Sequence, residues 1–166
     1  MQNYTENDFI DKEWKYVEFT PFLFIYSIAF ADGKVDIKET KELFKILVDA
    51  NDGNCKSSLI NYSLQIVSSD DPNQLRADCI RLITQKTSRG NLQYHEWLCV
   101  AADALKRVLT KEEYELYVNE LIDLGIRVSR ASKSTFFSQS NIGILEKNFL
   151  QTAVKIFGIN KQIPNN

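Results

Sequence analysis

Apolar residues recur at helical spacing along most of the chain. After Thr20-Pro21, read as an N-cap followed by proline at the first helical position, come Phe22, Phe24, Ile25, Ile28 and Ala29. Asp36-Ile37-Lys38-Glu39 has the form of a capping box, and Leu43, Ile46, Leu47 and Ala50 then repeat on one face. A stretch from about Cys55 to Val67 carries Leu59, Tyr62, Leu64 and Ile66. Asp71-Pro72 opens a further helix with a Leu75, Cys79, Leu82, Ile83 stripe. Asn91 precedes a long run through Trp97, Val100, Ala101, Ala104 and Val108. Thr110-Lys111-Glu112-Glu113 is a second capping box, leading into Tyr114, Tyr117, Val118, Leu121 and Ile122. The last helix is expected from about Gly143 to Phe157, with Leu145, Phe149, Leu150, Ala153 and Phe157 on one face and Gly158 as its αL cap. No stretch alternates with period two for long enough to predict a strand. The pattern therefore predicts an all-α fold, a single domain of about seven helices over residues 1–160. A frayed tail is expected at 161–166, and the longest irregular piece at about 132–142.

Composition narrows the function classes more than it names one. Apolar residues are 44% and charged residues 25% of the 166, as in ordinary soluble domains. The net charge of −2 argues against nucleic-acid binding driven by overall charge. The charge is uneven: residues 1–54 hold 11 acidic and 6 basic side chains, residues 126–166 hold 1 and 6. The basic set is Arg127, Arg130, Lys133, Lys147, Lys155 and Lys161, which either complements the acidic front half or faces a partner. The apolar run Phe19 to Ala31 is too short to span a bilayer, so no transmembrane segment is expected. The first residues lack the basic and apolar regions of a signal peptide, and Cys55, Cys79 and Cys99 show no pairing spacing. Those features place the protein in the cytoplasm with reduced thiols. His95 is the one histidine and is read as structural, and no phosphate-cradling or nucleophile-elbow motif is present. An enzyme is accordingly disfavoured.

One segment carries candidate chemistry. Asp32, Gly33, Val35, Asp36 and Glu39 match positions 5, 6, 8, 9 and 12 of an EF-hand loop, but positions 1 and 3 would be Ile28 and Phe30, which offer no oxygen. Capping accounts for Asp36 and Glu39, and backbone freedom for Gly33. Asp32 is left over, close to a helix C-terminus whose dipole disfavours a carboxylate, and this invites a cation.

The string from Phe24 to Glu39, with its apolar helix ending in Ala31-Asp32-Gly33 and a glutamate opening the next helix, resembles the signature of the TerB-like, or tellurite-resistance, family. The N-terminal module of the DjlA co-chaperones shares that pattern. The resemblance implies an all-helical fold with two facing helix–turn–helix elements, no enzymatic activity, and cation binding by acidic turn residues. A worn second copy can be traced: Val128 to Lys133 aligns with Ile28 to Gly33 and, after seven inserted residues, Ile142 to Glu146 with Val35 to Glu39. Leu150 and Val154 then match Leu43 and Leu47, while Ser132 and Gly143 stand in place of Asp32 and Asp36. The expected metal set is Asp32, Asp36, Glu39 and Glu146, holding a divalent cation. The two elements, around 20–50 and 126–158, are expected to superpose by a pseudo-two-fold rotation. The functional expectation is a non-enzymatic stress-response domain. The alternative is a metal-free module that presents its acidic front or basic back to an unidentified protein partner.

Overall fold

A computed structural model describes residues 4–10, 12–31, 37–69, 92–131 and 142–164. They form a short 3-10 turn at Glu6–Asp8 and six α-helices: α1 Glu13–Ala29, α2 Ile37–Asn51, α3 Ser58–Ser69, α4 Leu92–Val108, α5 Lys111–Ala131 and α6 Ile144–Phe157. No strand occurs among the described residues. The all-α expectation is met at that level. The helix expected from Asp71-Pro72 and most of the 132–142 loop lie outside the described residues.

Helix α1 is the axis of the molecule and packs against each of the other five helices. Surrounded in this way it cannot be amphipathic, and every residue from Thr20 to Ala29 is buried. Trp97, Phe24, Ile28, Leu43 and Leu150 are all buried, as the helical faces predict.

The start of α1 differs from the sequence expectation. Thr20 and Pro21 lie inside the helix, not at its beginning, and the chain enters through Lys12 in a left-handed conformation with φ 69°. An N-cap contributes about 0.5–2 kcal/mol. Extending the helix back to Glu13 buries Trp14 and Val17, each contributing about 1.5–3 kcal/mol, so burial outweighs the cap. Pro21 has no N–H to give the Val17 carbonyl. Around it the polar groups are rearranged: the Thr20 hydroxyl donates to the Tyr16 carbonyl at 2.5 Å, and the Trp97 indole of α4 donates to the same oxygen at 3.1 Å.

The other signals resolve more simply. At the start of α5 the Thr110 N–H donates to the Glu113 carboxylate at 3.1 Å and the Glu113 N–H returns to the Thr110 hydroxyl at 3.3 Å. Gly158 closes α6 at φ 67°. Within α6 the buried line is Glu146, Leu150, Ala153 and Phe157, whereas Leu145 is exposed. Leu150, Ala153 and Phe157 lie inward as the apolar pattern suggests and Phe149 is half-buried; the difference is confined to the first turn, where the capping Glu146 takes the inward position in place of Leu145. Midway along α5, Gly125 lets three helices meet. A Cβ there would come within 2.5 Å of Ile28, 2.8 Å of Phe24 and 2.9 Å of Leu150. Beyond α6, Lys161 donates to the Asn119 carbonyl at 2.7 Å and pairs with Asp123 at 2.8 Å, and Ile163 is buried. The tail expected to fray is thus tied to α5 through these residues.

Candidate functional site

Asp32 and Asp36 lie outside the described residues. Glu39 and Glu146 are described, and each is the third residue of its helix, α2 and α6 respectively. Both are buried, at 3% and 5% exposure, which is rare for a glutamate without compensation. For Glu146 the compensation is visible: its carboxylate accepts the Gly143 N–H at 2.5 Å, satisfying a donor that the helix start leaves open. The positive end of the helix dipole favours the same charge. Glu39 also has an interaction partner. Helix α2 packs on α3 and α5, and α6 packs on α4 and α5.

The two helices share more than a glutamate. From 37 to 50 and from 144 to 157, buried, half-buried and exposed positions follow in the same order at every residue. Ile37 and Ile144 stand out at 76% and 77% exposure, Glu39 and Glu146 turn in, and Leu43 and Leu150 are buried. In the preceding helices a spacing of 100 residues pairs Trp14 with Tyr114, Phe24 with Leu124, Ile28 with Val128 and Ala29 with Ser129, all buried. The step from 100 to 107 equals the seven-residue insertion traced in the sequence.

Part of the basic C-terminal third is neutralised within the molecule. The Arg127 guanidinium of α5 reaches Glu42 at 2.8 Å and Asp49 at 3.0 Å, two residues one face of α2 presents together. Burial works against its charge, but the hydrogen bonds to Asp49 and Glu42 prevail and raise its pKa. The front acids and this arginine therefore complement each other, as the uneven charge suggests.

Other reactive groups are muted. His95 and Cys99 stand one helical turn apart on α4, with Nδ1 and Sγ at 3.7 Å. From the sequence His95 reads as structural, with Cys99 passed over, and the i+4 interval between them is the signal that could have paired the two. Burial, with Asp103 and Glu96 nearby, raises the Cys99 thiol, so it is not poised as a thiolate. Burial pushes Cys55 up to about 11, helped by Glu120 and Asp49. Both thiols are free, and Cys79 lies outside the described residues. A recess of about 50 Å³ between Tyr4, Ser57, Leu109 and Glu113 has room for a water or two. Among the described residues no group of three or more His, Cys, Asp or Glu side chains is placed to hold a metal ion. No described helix is long and apolar enough to cross a membrane.

Compared with known protein families, curated proteins and solved structures, the chain matches none.

Proposed function

We propose that this chain is a TerB-like helical protein of the cytoplasm, without catalytic activity, whose acidic segment between α1 and α2 takes up a divalent cation. The observation that carries the reading is the shared burial order of α2 and α6, with a buried glutamate at the third residue of each. It supports two helix–turn–helix elements, α1 with α2 and α5 with α6, related by a pseudo-two-fold rotation. The packing of α1 on α5 at Gly125, of α2 on α5, and of α6 on α1 fits such an exchange of partners. In this reading Asp32, Asp36 and Glu39 supply the carboxylates of the first copy, and Glu146 is what remains of the second set. Carboxylate oxygens suit calcium, magnesium or manganese.

A second reading is a metal-free interaction module like that of the DjlA co-chaperones. The hydrogen bond from Gly143 to Glu146 favours it, because capping explains that glutamate without any ion.

Thermal melting in millimolar calcium, magnesium, manganese and zinc separates the two. A ligand that binds only the folded state raises the melting temperature. Under the cation reading at least one metal raises it, and Asp32→Asn abolishes the rise while leaving the metal-free melting temperature within about a degree. A flat melting temperature with all four metals leaves the metal-free module standing.

A further inference from the structure

We propose that His95 and Cys99 on α4 chelate a zinc ion. They stand at i and i+4, the interval at which a helix presents two side chains one above the other. Helical zinc sites space a pair of histidines in the same way. His95 is exposed and Cys99 half-buried, so an ion can reach both from solvent.

The distance between the two ligand atoms carries the inference. His95 Nδ1 and Cys99 Sγ are 3.7 Å apart. Zinc bonds an imidazole nitrogen at about 2.0–2.1 Å and a thiolate sulfur at about 2.3 Å. At a tetrahedral angle those bonds put nitrogen and sulfur about 3.5–3.6 Å apart. The pair therefore needs to close by only about 0.1–0.2 Å to hold the ion, with the backbone unmoved. In the metal-free protein a weak thiol–imidazole hydrogen bond holds the two atoms together. With the ring in the tautomer that leaves Nδ1 unprotonated, the ion takes the place of the thiol proton, which passes to solvent.

The charge around the pair favours a cation. Burial first, then Asp103 and Glu96, raise the Cys99 thiol, and Lys106 opposes them. Those two exposed carboxylates draw a divalent ion to the place where they hold the thiol proton. Sulfur and imidazole suit zinc, whereas calcium and magnesium want oxygen. No third His, Cys, Asp or Glu among the described residues completes the set. Two tetrahedral positions are thus left to water, and the ion is exchangeable, not a support of the fold. The inference shares no residue with the cation reading of Asp32, Asp36, Glu39 and Glu146.

Cobalt(II), a spectroscopic stand-in for zinc, tests it on the full chain. A thiolate bound to cobalt gives a charge-transfer band in the near ultraviolet. Carboxylates alone give none, so cation uptake between α1 and α2 does not affect the result. The expected outcome is a band that added zinc suppresses and added calcium leaves in place. Cys99→Ser should abolish it. His95→Gln should raise the cobalt concentration at half-saturation by more than the roughly tenfold that losing a hydrogen-bond partner of a ligand costs. Absence of a band from the native chain overturns the proposal. A band that survives Cys99→Ser also overturns it, by assigning the thiolate to Cys55 or Cys79. An unaltered titration in His95→Gln does the same, by leaving the thiol as a lone ligand. Circular dichroism checks that each variant is folded, and Cys99→Ala replaces Cys99→Ser under the same criteria should the serine variant misfold.

Discussion

At the scale of single residues, the most informative group is Glu113. Its carboxylate accepts the Tyr4 hydroxyl at 2.6 Å and the Thr110 hydroxyl at 2.8 Å. Those bonds, the Tyr4 hydroxyl first, hold it below the usual carboxylate range. Burial, then Glu113 itself, pushes the Tyr4 phenol up to about 12 from its ordinary value of 10.0. Because the carboxyl pKa is depressed in the folded state, its contribution to stability is present above the unfolded value and is lost as pH falls through the folded one. Tyr4→Phe should therefore raise the Glu113 pKa and shift the acid limb of the stability profile to higher pH. Titration of the Glu113 side-chain carbon by NMR checks this; an unmoved midpoint would show that Thr110 alone sets it. The tyrosine contribution runs the other way, complete below the unfolded phenol pKa and lost as pH rises through about 12.

Among the elements, α5 shows a local signal agreeing with the fold, and α1 shows one overruled. The Thr110 capping box is legible because nothing competes with it: the residues before it end α4, and those after it bury Tyr114, Tyr117 and Val118. Thr110→Ala should cost about 0.5–2 kcal/mol in urea denaturation, with Glu113 left as a partial cap. Thr20-Pro21 carries an equally good capping signal, yet Trp14 and Val17 upstream are core residues, and their burial extends the helix past it. A pattern read from Phe22 onward has no means of weighing that. Leu145 is misread for a related reason. An apolar stripe fixes a face to within one residue, and the inward place falls to Glu146, whose value as a cap is not visible in hydropathy. Of the candidate site, the sequence makes the carboxylates plain, but not that Glu39 and Glu146 would be buried, which depends on how α2 and α6 seat against α5.

For the whole molecule, the matched positions Leu43 and Leu150 provide a paired test. Each truncation to alanine should cost about 2–5 kcal/mol. Leu150→Ala should be the more damaging, because Leu150 is fully enclosed and its Cδ2 lies against Gly125, which has no side chain to move into the void. Both α2 and α6 pack on α5, so each variant should displace a single cooperative transition when chemical denaturation is followed by circular dichroism. A separate transition for one variant would mean that the two halves unfold independently.

The joint around Tyr16 has an optical consequence. Both tryptophans of the chain touch the first half of α1: Trp14 belongs to it, and Trp97 packs tilted against Tyr16 with ring centroids 4.5 Å apart while its indole bonds the Tyr16 carbonyl. Intrinsic fluorescence therefore views one end of the central helix, whereas the helical circular dichroism signal averages over every helix. Recorded together during unfolding, the two signals time the release of α4 from α1 against the loss of the remaining structure, with no label added to the protein.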